Sequence, residues 1–283
     1  IVIGSGIGGL YTAALLARVG RRVVVLEQHY MAGGCMHCFS DGGFDFDTGI
    51  HYLGKIPKYG KLIDLVSQPG EQVEWAPLGC EADGYTYDEI LLGDLEPFKM
   101  RKGQDRLVED LTARFPAEAA AIEAYVVMCQ KVNKSADTWF FSKLFPVWLQ
   151  ALFNRRAGES FRRYASMSAA ELITNCGVKD PKLFAILCGQ FGDYGALPSQ
   201  ASAFQHAGTA AHYFDGAWYP VGGPNEITKS LVSTIEAAGG RVLVRAPVSE
   251  ILIETGRAVG VKVGTNEVKL KHPSRGGIIS SAG

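Results

Sequence analysis

The sequence predicts a doubly wound α/β fold, and three observations near its amino end carry that prediction. Ile1-Val2-Ile3 is a short apolar run of the kind that ends a buried parallel strand, and Gly4-Ser5-Gly6-Ile7-Gly8-Gly9 follows it without a break. Gly4, Gly6 and Gly9 stand in G-x-G-x-x-G register. In that register the first glycine turns the chain sharply, the second lets backbone approach a pyrophosphate, and the third lets a helix lie close to the strand. Val23-Val24-Val25-Leu26 then reads as a second buried strand ending in Glu27, placed where a ribose hydroxyl needs an acceptor.

A helix from Leu10 to about Val19 joins the two strands, with Leu10, Ala13, Ala14 and Ala17 on one face and Gly20 as its stop. Its amino end faces the glycine turn, where unpaired N–H groups and the positive end of the dipole favour an anion. An acid at position 27 favours an unphosphorylated ribose, as in NAD or the adenosine half of FAD. Gly33-Gly34 is a second place where bare backbone can approach a dinucleotide. The candidate cofactor residues from this stretch are Gly4, Gly6, Gly8, Gly9, Glu27, Gly33 and Gly34.

Length and composition set the frame around this motif. At 283 residues, 47% hydrophobic and 20% charged, the chain has material for a core and for two domains. A net charge of -1 without a basic cluster argues against nucleic acid as a partner. Six scattered cysteines do not make a disulfide framework. Position 1 already lies inside a strand and position 283 follows another, so the chain reads as an amino-terminal piece of something longer.

Cys35-Met36-His37-Cys38 comes next. No second C-x-x-C completes a zinc site, and the spacing is narrower than that of flavin disulfide reductases, so the preferred reading is small apolar packing groups and no metal. Asp41-Gly42-Gly43 turns into a short strand with Phe44 and Phe46. Asp47-Thr48-Gly49 breaks it, and Gly49 and Gly54 leave little bulk around His51-Tyr52, so backbone there could lie against a flat ring.

Gly-Gly-Cys-x-x-x-Phe at Gly33–Phe39, and Phe46-Asp47-Thr48-Gly49-Ile50-His51-Tyr52, bring a resemblance into view. With the glycine fingerprint they resemble the retinol saturases, flavoproteins of the phytoene desaturase and carotenoid isomerase group. Gln190-Phe191-Gly192-Asp193-Tyr194-Gly195, Pro198-Ser199-Gln200-Ala201-Ser202 and Tyr219-Pro220-Val221-Gly222-Gly223 resemble later blocks of the same enzymes. The likeness runs through nearly the whole chain.

The remaining elements read as follows. A helix over Lys58–Ser67 has Leu62, Ile63 and Val66 as its apolar face, and strands are expected at Val73–Trp75, Tyr85–Tyr87, Ile90–Leu92 and Phe98–Met100. Helices follow over Gln104–Arg114 and from Pro116 to about Asn133, with Leu107, Leu111, Ile122, Tyr125 and Val126 as core. The stretch 138–156 is the most apolar in the chain but is shorter than a spanning helix and carries Lys143 and Pro146. Its aromatics and the flanking Asn154-Arg155-Arg156 suit a segment lying in a membrane interface, and a core helix or lid is the other reading.

Ser168-Ala169-Ala170-Glu171 is a capping box, Pro181 opens a further helix, and Ser199–Tyr213 is expected to be helical with His206 as a packed residue. A helix over Asn225–Ala238 and strands at Arg241–Arg245, Val259–Val263 and Ile278–Ser280 return the chain to the dinucleotide fold.

The resemblance implies a discontinuous FAD/NAD(P)-binding Rossmann-type domain, 1–70 and 215–283, around an inserted α+β substrate domain, 71–214. It implies FAD as cofactor, with Gly49 and the backbone of Val248 added to the cofactor contacts, and NAD or NADP as reductant. It implies a hydrophobic polyene partner, retinol or a carotenoid, and saturation of one double bond of all-trans-retinol. The alternatives are isomerase or desaturase chemistry on a C40 polyene, or an inactive fragment. His51 and Tyr52 are the foremost proton-donor candidates, followed by Tyr194 and Tyr219. The compartment implied is the endoplasmic reticulum membrane, with peripheral attachment; plastid and cytoplasm are the other settings.

Overall fold

The computed structural model describes residues 1–93, 95–154 and 157–282, with side chains described outside 152–157. The chain separates into two compact units, Ile1–Ala76 joined by the chain from Trp218 onward, and Pro77–Ala217.

The first unit is built on a four-stranded parallel sheet ordered Arg241–Leu243, Val24–Leu26, Val2–Ile3, Ile279–Ser280. Val2 pairs with Val25 and Ile3 with Leu26, so the two apolar runs of the amino end lie side by side. Parallel strands need cover on both faces, which is why these runs are apolar throughout rather than alternating. One face packs Leu10, Ala13 and Ala14 of the helix Ile7–Arg18 together with Ile227, Leu231 and Ile235 of the helix Asn225–Ala237. The alanines keep that approach close. On the other side Ile3 and Leu26 meet Ala246 and Val261, the latter from the antiparallel sheet Val248–Glu254, Arg257–Val263 and Asn266–Lys269. Each fully buried Val, Leu or Ile in these layers contributes about 1.5–3 kcal/mol.

The second unit pairs the hairpin Thr86–Ile90 and Phe98–Arg101 with a set of helices. Its core gathers Leu111, Ile122, Tyr125, Cys129, Leu172, Ile173 and Leu183 around Ala203 and Ala207. The small side chains at 203, 207 and 211 let the helix Ala203–Tyr213 lie close to the long helix Ala119–Ser142. Leu107, Leu111, Ile122, Tyr125 and Val126 are all buried, as core residues at helical spacing should be.

Several expected elements differ in detail. The strand expected at 73–75 is Trp75–Pro77, and those expected at 85–87 and 90–92 are one strand, Thr86–Ile90. Leu62 is exposed and only Val66 of the expected face is fully buried, because the helix Ile56–Val66 turns Ile56, Gly60 and Val66 inward instead. The helix expected from 199 begins at Ala203, where Ser202 caps it in a box with Gln205.

The apolar stretch is not one segment. Ala119–Ser142 runs past 133 and takes up Trp139–Ser142; the chain then turns through Lys143–Pro146 and restarts as Val147–Asn154. Pro146, lacking an N–H, suits the start of the second helix. Arg155 and Arg156 lie outside the described residues, and among the described residues no helix is long and apolar enough to cross a membrane.

Candidate functional site

The glycine turn is assembled from three contacts that differ in kind. Gly4 has φ +91°, a conformation that disfavours any side chain, and its N–H donates to the Leu26 carbonyl at 2.8 Å, tying the turn to the next strand. A Cβ on Gly9 would lie 2.1 Å from the Gly4 carbonyl oxygen, so the third glycine lets the helix cross the turn. Gly6 has φ -62° and ψ 174°, and a Cβ built there meets no heavy atom within 4 Å. Neither backbone conformation nor packing within the protein requires glycine at position 6. The open space beside it, at the uncapped amino end of the helix Ile7–Arg18, fits the pyrophosphate of a dinucleotide.

Glu27 is buried and turned toward this turn. Its carboxylate accepts the Ser5 N–H at 2.8 Å, the Ser5 hydroxyl at 2.6 Å and the His29 N–H at 2.8 Å. Burial alone would raise its pKa, but the hydrogen bonds from His29 and Ser5 outweigh that and hold it below the ordinary glutamate value. The Ser5 hydroxyl also accepts the Gly33 N–H at 3.1 Å, so one buried serine links the acid to the second glycine pair. Gly33 and Gly34 both have positive φ, and a Cβ on Gly34 would lie 3.1 Å from Gly6 Cα.

Gly4, Gly6, Gly8, Gly9, Glu27, Gly33 and Gly34 are thus brought together on one rim. Three residues that sequence reasoning missed complete it. Ser5 is one. Ser281 is another, its carbonyl beneath Gly4 and its hydroxyl 3.4 Å from a Cβ at Gly8. Thr228 is the third; its Oγ1 lies 2.6 Å from a Cβ at Gly33 and is buried with no hydrogen-bond partner among the described residues. Ser5 stands inside the fingerprint and a small polar residue there was a readable signal. Ser281 and Thr228 reach the turn only through the fold.

The other candidates are placed less uniformly. Val248 opens the strand Val248–Glu254, two residues after Ala246, whose N–H donates to the Glu27 carbonyl at 2.8 Å. The room beside Gly49 is filled by Cys35, whose Cβ would be 2.8 Å from a Cβ at 49, so that glycine admits a thiol side chain rather than lying open to a ring. Cys35 is exposed and Cys38 half-buried with Sγ 3.4 Å from Asp47 Oδ1, which corrects the reading of the pair as buried apolar filler.

His51 is exposed and Tyr52 half-buried in the loop leading to Leu53–Gly54. The Tyr219 hydroxyl donates to Asp47 at 3.0 and 2.9 Å from its two oxygens; burial, then the Asp47 carboxylate, push its phenol up to about 12. A phenol engaged in that way is a poor proton donor to anything else. Tyr194 belongs to the second unit, where its hydroxyl meets His206 Nδ1 at 3.2 Å.

Comparison with known proteins agrees with this geometry. The profile of the NAD(P)-binding Rossmann-like domain matches residues 2–69, the stretch holding the fingerprint, Glu27 and the second glycine pair. An all-trans-retinol 13,14-reductase of Danio rerio is 40% identical over 295 residues, covering 100% of this chain and 47% of its own length. A chloroplastic prolycopene isomerase of an Oncidium hybrid cultivar is 31% identical over 268 residues, covering 93% of this chain and 45% of its own. The chain therefore spans about half the length of the curated relatives it matches. Among solved structures, cyclohexylamine oxidase from Brevibacterium oxydans superimposes with a TM-score of 0.60 at 18% identity, over 96% of this chain and 56% of the other, a likeness of fold. Along the half of those proteins that it spans, this chain is similar to the retinol saturases and prolycopene isomerases.

Proposed function

We propose that this chain is part of an FAD-dependent oxidoreductase that saturates a polyene double bond, with all-trans-retinol as substrate and all-trans-13,14-dihydroretinol as product. The observation that carries the reading is the 40% identity to a retinol reductase along the whole chain. The glycine turn, with its open space at Gly6 and the Glu27 carboxylate beside it, supports a dinucleotide there.

When bound, FAD would supply hydride transfer, which side chains cannot perform. The chain's own residues do the rest. Gly6 leaves room for the diphosphate, and the amino end of the helix Ile7–Arg18 offers it N–H donors. Glu27 accepts from ribose hydroxyls, and the backbone around Val248 lies along the chain that follows Glu27. The unit Pro77–Ala217 serves as the substrate domain. Saturation also needs a proton on the neighbouring carbon, and exposed His51 is the candidate donor, with Tyr52 beside it. NADPH or NADH would recharge the flavin from outside this chain's fingerprint, since the sequence carries one G-x-G-x-x-G.

The apolar turn of the second unit supports peripheral attachment to a membrane such as that of the endoplasmic reticulum. Leu144, Val147 and Trp148 are 77%, 81% and 76% exposed within five residues, and Lys143 lies over the Trp139 ring at 4.3 Å. Large exposed apolar groups beside cations suit a lipid interface, where a polyene substrate also resides.

The test is to add FAD, a chemical reductant and all-trans-retinol to the purified protein and analyse the product. The 13,14-dihydro product supports the reading. Isomerisation of prolycopene without net reduction would favour the second reading, which the 31% identity to a prolycopene isomerase motivates. A protein that takes up no FAD overturns both.

A further inference from the structure

Beside the glycine rim two histidines come close together in an arrangement that the proposed chemistry does not use. The rings of His29 and His37 have centroids 5.0 Å apart and planes inclined at 43°. That inclination is neither of the arrangements that aromatic pairs favour, offset stacking or edge to face. His29 is exposed and His37 half-buried, so the pair does not serve to fill a core.

Both residues are held by their backbones. The His29 N–H donates to Glu27 Oε1 at 2.8 Å, and its carbonyl accepts the Arg245 N–H at 2.8 Å. The His37 N–H donates to the Gly34 carbonyl at 3.2 Å, and its own carbonyl accepts the Thr48 hydroxyl at 2.7 Å. The His37 ring is fixed as well, because its Nδ1 lies 2.7 Å from the Gly34 carbonyl oxygen. A carbonyl only accepts, so in the neutral ring Nδ1 carries the proton and Nε2 is the bare nitrogen. Metal-binding histidines are oriented in this way: one nitrogen gives its N–H to a carbonyl, which leaves the other as the ligand. Among the described residues, neither His37 Nε2 nor either ring nitrogen of His29 has a hydrogen-bond partner.

The separation suits a shared ion. Two imidazoles on one tetrahedral metal, with metal–nitrogen bonds of about 2.0–2.1 Å, have ring centres about 5 Å apart. Among the described residues no group of three or more histidines, cysteines or carboxylates gathers to hold a metal, so the protein offers two ligands and water completes the shell. Imidazole nitrogen selects ions such as Cu²⁺ and Zn²⁺ over Mg²⁺ and Ca²⁺, which take oxygen ligands. An ion held by two side chains exchanges with solvent and is not a permanent part of the fold.

We propose that His29 and His37 form a site for one Zn²⁺ or Cu²⁺ ion, which ties the segment after Glu27 to the segment after Gly34. Those two segments follow the ribose acceptor and the second glycine pair, so the ion stiffens the rim of the dinucleotide site. The partner of His37 comes from beyond the strand Val24–Leu26 and not from Cys35 or Cys38, so C-x-x-C spacing does not announce it.

The experiment strips the purified chain with a chelator and titrates it with ZnCl₂, CuCl₂ and MgCl₂ in a calorimeter, with thermal unfolding followed at each ion. The variants are His29→Ala, His37→Ala, His37→Asn and Cys35→Ser. His37→Asn keeps a donor for the Gly34 carbonyl while removing the ligand, which separates loss of metal from loss of fold. Cys35→Ser checks the exposed thiol. One Zn²⁺ or Cu²⁺ per chain is expected, with Cu²⁺ the tighter and Mg²⁺ not bound. Each histidine variant should weaken Zn²⁺ at least about tenfold, the loss that even an outer-shell partner of a metal brings. Cys35→Ser should bind as the wild type does. Zn²⁺ should raise the unfolding temperature of the wild type and leave that of His29→Ala unmoved.

A wild-type protein that takes up neither Zn²⁺ nor Cu²⁺ overturns the inference, as does binding that is undiminished in both His29→Ala and His37→Asn. Binding that Cys35→Ser abolishes overturns it as well, by making the thiol the ligand. All of these outcomes leave the polyene reading standing.

Discussion

The Glu27 carboxylate holds Ser5 twice, at its backbone N–H and at its hydroxyl, and through that hydroxyl it reaches the Gly33 N–H. The acid that would receive a ribose is therefore also the clamp that sets the glycine turn.

Removing the clamp should cost both stability and cofactor. Glu27→Ala leaves the Ser5 N–H, the Ser5 hydroxyl and the His29 N–H without their acceptor in a buried setting, an expected loss of about 3 kcal/mol. Glu27→Gln keeps the shape but turns a donor toward other donors, with an intermediate loss. Chemical denaturation measures the first effect and FAD titration the second. The sign with pH follows from the lowered pKa: the contribution is present above the ordinary value of 4.5 and is lost as pH falls through the folded-state value. A Glu27→Gln protein with unchanged FAD affinity would remove this acid from the site.

The glycines should separate into two classes on substitution. Gly6→Val directs its side chain into open space, so the chain folds, while the pyrophosphate loses its place and FAD is not retained. Gly9→Ala drives a methyl against the Gly4 carbonyl oxygen at 2.1 Å, so folding itself suffers. Thermal unfolding and flavin absorbance of the two variants tell them apart. A Gly6→Val protein that keeps a full complement of FAD would place the cofactor elsewhere.

This contrast marks what the sequence could and could not say. The amino-terminal strand, turn, helix and second strand were legible because each depends on residues a few positions apart: apolar runs, glycine register, an alanine face. The rim's remaining parts depend on distance in the chain. The Tyr219 bond to Asp47 joins residues 172 apart, and Ser281 reaches Gly4 only because Ile279–Ser280 pairs with Val2–Ile3. Cys35 looked like core filler because cysteine is usually buried, yet the loop that carries it leaves the thiol at the surface. The apolar stretch read as one segment because composition is blind to the turn at Lys143–Pro146.

His206 should make the second unit sensitive to acid. Its pKa falls from 6.5 to about 4 on folding, so the unfolded chain takes up a proton in that interval and the folded chain does not. Stability should fall on the order of 3 kcal/mol between pH 6.5 and pH 4 from this group. Denaturant unfolding across that range should show the slope, and His206→Gln should flatten it. The Glu27 contribution is lost only as pH falls from about its ordinary value of 4.5, so the upper part of the interval reports His206. An unchanged slope in His206→Gln would assign the acid sensitivity to other groups.

The exposed turn between Ala119–Ser142 and Val147–Asn154 gives the last prediction. Phe141, Leu144, Val147 and Trp148 hold little of the fold together, being 56%, 77%, 81% and 76% exposed. Between Asp137 and Glu159 the sequence carries Lys143, Arg155 and Arg156 and no acid. A cation near an anionic bilayer is worth about 1 kcal/mol, and apolar side chains add to that as they leave water. The double variant Leu144→Glu with Trp148→Glu should therefore keep its thermal unfolding temperature within about 2 °C, because exposed substitutions rarely exceed about 0.5 kcal/mol each. Its partition onto vesicles of mixed neutral and anionic lipid should fall more than about tenfold, since two buried apolar groups become two repelled charges. Sedimentation with vesicles measures this, and raising the salt should weaken the wild type in part, leaving the apolar share. Equal partition of the two proteins would show that this turn does not meet the bilayer, and would return the aromatic cluster of Trp139, Phe140 and Phe161 to a purely structural role.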